Sequence, residues 1–330
     1  MSGHGKRRKT NRCRQEGHSM NAKENYLEAI YFGNPRYVPL ACEPIWFGFS
    51  FEDLFKMGNW TDRWGVRWQT ERKDMVPFPK GHPLQDIRRL DEYKFPDPDS
   101  FVLSEEVREL LPKIDRSKTL VMGNLVYFLY ERAWALMGME NFMISLIEYP
   151  DEMHALLHQI AHFARGIFDR YLELGVDGVG FSEDLGSQKA LMLSPKLFRE
   201  FFLPEYVYAF ENLLKEKKII HFHSCGCIHE IAGDLASIGV TVLNPVQARA
   251  NDLARVKRDT IGKTALSGGI DTHLLLTGTP EQVRDETIRV LEILKPGGGY
   301  VCGPDQSYPG IPAENMEMLW KTAREFGQYE

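Results

Sequence analysis

From Tyr37 onward the chain repeats one unit: a short run rich in β-branched, aromatic or aliphatic residues, then a longer stretch whose apolar positions recur every three or four residues. The strand candidates are YVPLAC (37–42), TLVMGN (119–124), VDGVGFS (176–182), KKIIHFH (217–223), VTVLN (240–244), TALSG (264–268) and GYVCG (299–303). Helical periodicity fills residues 21–33, 143–175, 194–216, 227–239 and 280–294, with the spacing a helix needs to lay one apolar stripe on a sheet. Strand and helix in strict alternation imply a parallel sheet with helical crossovers, so the fold class is α/β, and seven visible strands fit an eight-stranded (β/α)8 or TIM barrel. The eighth strand has no clear signal. Residues 43–118 hold too much Trp, Pro and charge for a single crossover, which predicts an insertion after the first strand that caps one end of the barrel.

One barrel domain over 20–330 accommodates this length, since a barrel with insertions routinely grows this large. The first nineteen residues, basic and without apolar periodicity, are expected to be a disordered extension or tag, and Cys13 is set aside with them. A formal net charge of −6 argues against a general nucleic-acid binder. No apolar run is long enough to suggest a membrane span. Five cysteines, an odd number with no disulfide-like spacing, and no secretory leader point to a reducing cytoplasm.

The polar residues gather at the ends of these strands. Asn124 closes the second, Glu183 and Asp184 follow the third, His223 and Cys225 the fourth, Asn244 and Gln247 the fifth, Asp271 the sixth, and Cys302 and Asp305 close the seventh. In a barrel, the loops at the C-terminal strand ends converge on the active site. Taken singly, Asp184 and Asp271 read as helix caps. His223 and Cys225, two apart on an extended segment, share a face and can grip one ion. With Cys302 they form a three-ligand set of imidazole and thiolates, which predicts a catalytic Zn2+ with an open position. The bland alternative makes the two cysteines small core residues and His223 a hydrogen-bonded interior histidine.

The stretches SEDLGSQKALMLSPKLFREFFLPEY (182–206), HFHSCGCIHEIAGDLASIGVTVLNPVQARA (221–250), GKTALSGGIDTH (262–273) and KPGGGYVCGPDQSYPGIPAENM (295–316), with TDRWGVRW (61–68), resemble the uroporphyrinogen decarboxylase superfamily. Within it the chain is similar to the zinc- and corrinoid-dependent methyltransferase branch, whose His-x-Cys…Cys signature falls on His223, Cys225 and Cys302. The decarboxylases carry an Arg-rich segment after their first strand; here ACEPIWFGFSFEDLF (41–55) has no basic residue, which suits a neutral or weakly anionic ring better than a polycarboxylate.

The resemblance implies transfer of a methyl group from a methoxylated aromatic to the Co(I) corrinoid of a partner protein. Zinc would act on the ether oxygen, and Glu183, Asp305 or Tyr308 would orient the ring or shuttle a proton. Trp46, Phe49 and Tyr127, within two aromatic clusters, are the expected ring walls, with Asn124, Asn244 and Gln247 as further contacts. Gln247 also stands where related zinc methyltransferases place a fourth ligand; Cys227 is a weaker candidate. No DxHxxG cobalamin motif is present, so a partner must carry the corrinoid. The alternatives are methyl transfer to a thiol of the coenzyme M type, uroporphyrinogen decarboxylation, and a non-catalytic zinc module. A homodimer is left open.

Overall fold

The computed structural model describes residues 20–51, 56–72, 75–306 and 308–329. The expected extension over 1–19 lies outside them. Seven parallel strands form a curled sheet in the order β1 (Trp46–Phe49), β5 (Leu120–Leu125), β6 (Gly178–Ser182), β7 (Ile219–His223), β8 (Val242–Asn244), β9 (Ala265–Ile270), β10 (Tyr300–Pro304). Apart from β1, consecutive strands of the sheet are joined by helical crossovers, as the alternation in sequence predicts.

The edges of the sheet correct two expectations. WFGF, expected inside the insertion, is a strand of the main sheet, with Trp46 opposite Leu120 and Phe49 opposite Gly123. The expected first strand at 37–42 is reduced to one parallel bridge, Leu40 opposite Cys302. Two backbone bonds hold that bridge: Cys302 N–H to the Pro39 carbonyl (2.8 Å) and Ala41 N–H to the Cys302 carbonyl (2.9 Å). Residues 39–49 therefore touch β10 at one end and β5 at the other.

Side-chain parity along the strands divides the core. Leu120, Met122, Ile219, Val242, Ala265 and Val301 share a small cluster with Tyr26 and Ile30 of the helix Ala22–Ile30. Val121, Val179, Ile220, Phe222, Leu243, Leu266, Tyr300 and Cys302 belong to the larger cluster under the crossover helices. Since side chains alternate between faces with period two, His221 and His223 share the face of Ile219, while Cys302 shares the opposite one with Tyr300.

The helix boundaries follow local chemistry. Asn21 and Glu24 form a capping box at the start of Ala22–Ile30, and Thr279 with Gln282 does the same for Pro280–Leu294. Pro150, at the first turn of Pro150–Glu173, splits the expected helix 143–175 because its ring lacks the N–H that a continuous helix would need. The expected helix 227–239 shrinks to Ala232–Ser237. No helix among the described residues is long and apolar enough to cross a membrane.

Between β1 and β5 lies an antiparallel sheet of β2 (Gly58–Thr61), β3 (Arg67–Thr70) and β4 (Phe78–Gly81). Asp62 pins it to the helix Tyr130–Met137 through a 2.6 Å ion pair with Arg132, the side chains 3% and 1% exposed. The same carboxylate accepts from Trp68 Nε1 (2.9 Å) and from the backbone N–H groups of Trp64 (3.0 Å) and Val66 (2.9 Å). Removing either partner would strand a buried charge at about 3–5 kcal/mol.

Candidate metal centre

At the C-terminal end of β7 the chain leaves the sheet through a loop that is fixed from several sides. Gly226 N–H donates to Gln247 Oε1 (2.7 Å), Ile228 N–H to Asn251 Oδ1 (2.8 Å), and Ser224 N–H to the Asn244 carbonyl (2.7 Å). Gly226 has φ of +84°, and a Cβ there would sit 2.1 Å from the Gly186 carbonyl oxygen, so only glycine fits. The fixed loop turns Cys225 back beside His223, with Sγ 3.4 Å from Nε2.

Asp184, at the end of β6, completes the group. Its Oδ1 accepts from Cys225 N–H at 2.8 Å and lies 3.8 Å from His223 Nε2. One ligand atom from each of Asp184, His223 and Cys225 lies within 4.8 Å of the others, an O, N, S set that could hold a metal ion. Asn244 sets the imidazole: its Nδ2 donates to Ser267 Oγ (3.2 Å), which leaves Oδ1 to accept from His223 Nδ1–H (3.0 Å) and frees Nε2 for a ligand role.

The electrostatics favour a cation. Burial and then the Asp184 carboxylate push the Cys225 thiol up to about 12, so it stays protonated at neutral pH unless a positive charge offsets them. Asp184, His223 and Cys225 open onto a cavity of about 740 Å³, walled also by Cys42, Val76, Met316 and Trp320. Asp305 stands on the same wall, its carboxylate accepting from Gly269 N–H (3.1 Å) and Ala248 N–H (3.3 Å). Burial, reinforced by Asp271, pushes its carboxyl up to about 8.

Several predicted residues lie elsewhere. Cys302 is fully buried on the outward face of β10, in the core under the helices, where burial pushes its thiol up to about 12. Strand parity turns it away from the group, so the expected His-Cys-Cys set does not form. Glu183 is fully buried and spends its oxygens on the backbone N–H groups of Leu129, Tyr130 and Glu131 and on Tyr206 OH (3.0 Å). It anchors the start of the helix Tyr130–Met137 and does not wall the cavity.

Gln247 spends its Oε1 on Gly226 N–H and on Gln188 Nε2 (3.2 Å). Phe49 is core, edge-on to Tyr171 at 5.4 Å. Tyr127 stacks on Trp68 at 4.7 Å and donates to the Pro77 carbonyl (3.2 Å). Neither ring faces the cavity described above. Cys227 is buried, with Sγ 3.5 Å from His229 Nδ1. Tyr308 is exposed and outside the cavity walls.

Asn124 spans the inner face of the sheet, its amide close to where side chains on Gly48 and Gly180 would stand. Trp46 is 38% exposed, its ring 6.0 Å from the His221 ring and 5.0 Å from Tyr26. Asp271 caps the helix Thr272–Thr277, accepting from His273 N–H at 2.9 Å.

The sequence profile of the uroporphyrinogen decarboxylase (URO-D) family matches residues 67–326. The chain belongs to that family. Among solved structures, a methyltransferase from Methanosarcina mazei superposes with a TM-score of 0.67 at 17% identity, over 93% of this chain and 99% of that one. At that identity the likeness is one of fold. A B12-independent methionine synthase from a Shewanella species, in complex with selenomethionine, gives a TM-score of 0.45 at 14% identity, over 69% of this chain and 67% of that one. No curated protein sequence matches the chain.

Three residues around the candidate metal group had no distinct signal in the sequence. Glu131 is buried beside Asp184, accepts from Ser182 Oγ (2.8 Å), and is pushed up to about 8 by burial and then by Asp184 and Glu183. His221, two residues before His223 on the same face, is held neutral by burial, its pKa lowered to about 4. Gln306 reaches across the mouth to donate from Nε2 to Cys225 Sγ at 2.9 Å.

Proposed function

We propose that this chain is a zinc-dependent methyltransferase that takes the methyl group of a phenyl methyl ether and passes it to the Co(I) corrinoid of a partner protein. The observation that carries the reading is the O, N, S donor group of Asp184, His223 and Cys225 on the wall of an open cavity. Three protein donors with space beside them suit a catalytic zinc rather than a closed structural one. Once the Cys225 thiol gives up its proton, the thiolate and the neighbouring Asp184 carboxylate carry two negative charges that a divalent cation balances, which supports the same choice.

Zinc, when bound, supplies Lewis acidity to the ether oxygen. The chain's own residues do the rest. Asn244 holds His223 with Nε2 toward the site, and the Asp184 contact to Cys225 N–H keeps the thiol in place. Asp305, protonated below about pH 8, can give its proton to the aryl oxygen as the C–O bond breaks. Asn124 and Trp46 remain as candidate ring contacts along the inner face; Phe49 and Tyr127 drop out. The same reading takes the sheet as a closed barrel, with the Leu40 segment as its eighth stave, and the β2–β4 insertion as its cap. A corrinoid-bearing partner and a cytoplasmic setting complete it.

Among the described residues no Arg or Lys lines the cavity, which weighs against a polycarboxylate substrate and hence against uroporphyrinogen decarboxylation. One observation favours the thiol-methylating alternative: the loss of Phe49 and Tyr127 as walls removes two of three rings that favoured an aromatic substrate. A single assay decides between them. Zinc-loaded protein offered guaiacol, vanillate or veratrole with a Co(I) corrinoid protein should release the phenol and consume the Co(I) absorbance. Methylation of a thiol from methylcobalamin, with no phenol released from any ether, would install the alternative.

A further inference from the structure

The Cys225 sulfur has a second partner from the far side of the mouth, and the chain fixes that partner's backbone. The end of β10 is tied to the end of β9 by Asp305 N–H to the Ile270 carbonyl (2.8 Å) and by Gly269 N–H to Asp305 Oδ1 (3.1 Å). One residue on, Thr272 clamps Gln306 reciprocally: Gln306 N–H donates to Thr272 Oγ1 (2.9 Å), and the same hydroxyl donates to the Gln306 carbonyl (3.0 Å). From that fixed backbone the side-chain amide reaches Cys225 Sγ at 2.9 Å, across a sequence separation of 81 residues. With Cys302 facing the core, Gln306 is the group that β10 presents to the metal-binding residues.

We propose that Gln306 is a positioning residue for the metal centre: its amide N–H donates to the Cys225 thiolate in the loaded site, fixes the direction of the sulfur lone pairs and withdraws charge from them. This rests on the reading of Asp184, His223 and Cys225 as metal ligands and extends it to the sulfur's donor strength. A thiolate bound by a strong donor gives less charge to the metal, which leaves the ion a stronger Lewis acid toward whatever occupies the open position. The clamp at Thr272 matters because an amide that swung freely would hold the sulfur only part of the time. Hydrogen-bonded neighbours of a ligand typically change metal affinity 10- to 100-fold when removed.

The test uses the full chain stripped of metal and titrated with Co2+, then with Zn2+ against a chromophoric chelator. Wild type should show a sulfur-to-cobalt charge-transfer band in the near ultraviolet, and Cys225→Ser should lose it; an absent band in wild type would sink the metal-ligand reading itself. Given that band, Gln306→Ala and the similarly sized Gln306→Met should both move it to longer wavelength, because the sulfur electrons lose a stabilising donor, and should weaken zinc about 10-fold. Thr272→Val, which leaves the amide in place and removes only the clamp, should give a smaller shift of the same sign. A residue that merely packed the loop would weaken metal binding without moving the band. An unmoved band in both Gln306 variants, with the Cys225-dependent band intact in wild type, overturns the proposal and leaves the metal reading standing.

Discussion

The ends of β7 and β10 carry the same chemistry in sequence and use it in opposite ways. At β7, His223 shares the inner face with Ile219, and the loop after it turns Cys225 back to the same side, so imidazole and thiol meet at 3.4 Å on the cavity wall. At β10, Val301 takes the inner face and Cys302 the outer, so its sulfur packs among core residues beneath the helices. One position of register separates a candidate metal ligand from a core atom. What β10 gives to the mouth is its last residue, Pro304, and the polar side chains just beyond it, Asp305 and Gln306.

Replacing the ligands breaks this comparison most directly. His223→Ala or Cys225→Ser should lower zinc affinity at least about 100-fold, beyond the usual effect of removing a hydrogen-bonded neighbour, while Cys302→Ala should keep the full metal content. Elemental analysis of the purified variants reads the difference. Metal lost in Cys302→Ala and kept in Cys225→Ser would reverse the assignment of the two strand ends.

The acids that flank the group divide in the same way, one turned into the fold and one toward the cavity. Glu183→Gln should cost about 2–4 kcal/mol in urea unfolding, since a buried carboxylate bonded to three N–H groups and Tyr206 loses acceptor capacity. Its zinc content once folded should match wild type. Wild-type stability with lost turnover would instead assign Glu183 a part in the chemistry.

Asp305→Asn should act through pH. The folded-state carboxyl is raised to about 8 from 3.8, so its stabilising share is present in full below the lower value and is lost as pH rises through the upper. The metal-free wild type should therefore lose stability between about pH 4 and pH 8, and Asp305→Asn should lose less over that range. Glu131, raised to about 8, and Glu183, raised to about 7, keep part of the slope in both proteins. Parallel pH profiles would remove Asp305 from the set of buried protonated acids.

Much of the architecture was legible because alternating periodicity is a property of whole segments: β5 to β10 each fall within or beside a run that the sequence marks as a strand. β1 was not, because WFGF is four residues long and stands among turn residues and tryptophans that read as an insertion. The His223–Cys225 pair was legible since its proximity is local. Cys302 was not, because GYVCG is buried on both faces and carries no apolar–polar alternation from which its direction could be read. Asp184 was visible as a residue but not as a candidate ligand, since a lone acid after a strand has the same signature as a cap, which is the role Asp271 fills. Gln306 gave no metal-site signal at all; only the fold carries its amide over to a sulfur 81 residues away.

The smallest expected effect sharpens the comparison at one sulfur atom. Cys302→Ala removes Sγ from a fully buried position against Tyr300, whose hydroxyl donates to the Gly268 carbonyl at 2.8 Å and also hydrogen-bonds the Cys302 sulfur. The vacated space is less than that of a methylene pair, and the neighbouring β9–β10 ladder, Cys302 opposite Gly268, holds the backbone in place. The loss should then be that of one buried heavy atom and its contacts, about 1 kcal/mol. Thermal unfolding of metal-free and zinc-loaded protein should show the same small decrease in Tm relative to wild type, since the sulfur contributes to the core and not to the ion. A decrease confined to the zinc-loaded protein would mean that Cys302 reaches the metal after all, and the two strand ends would no longer differ.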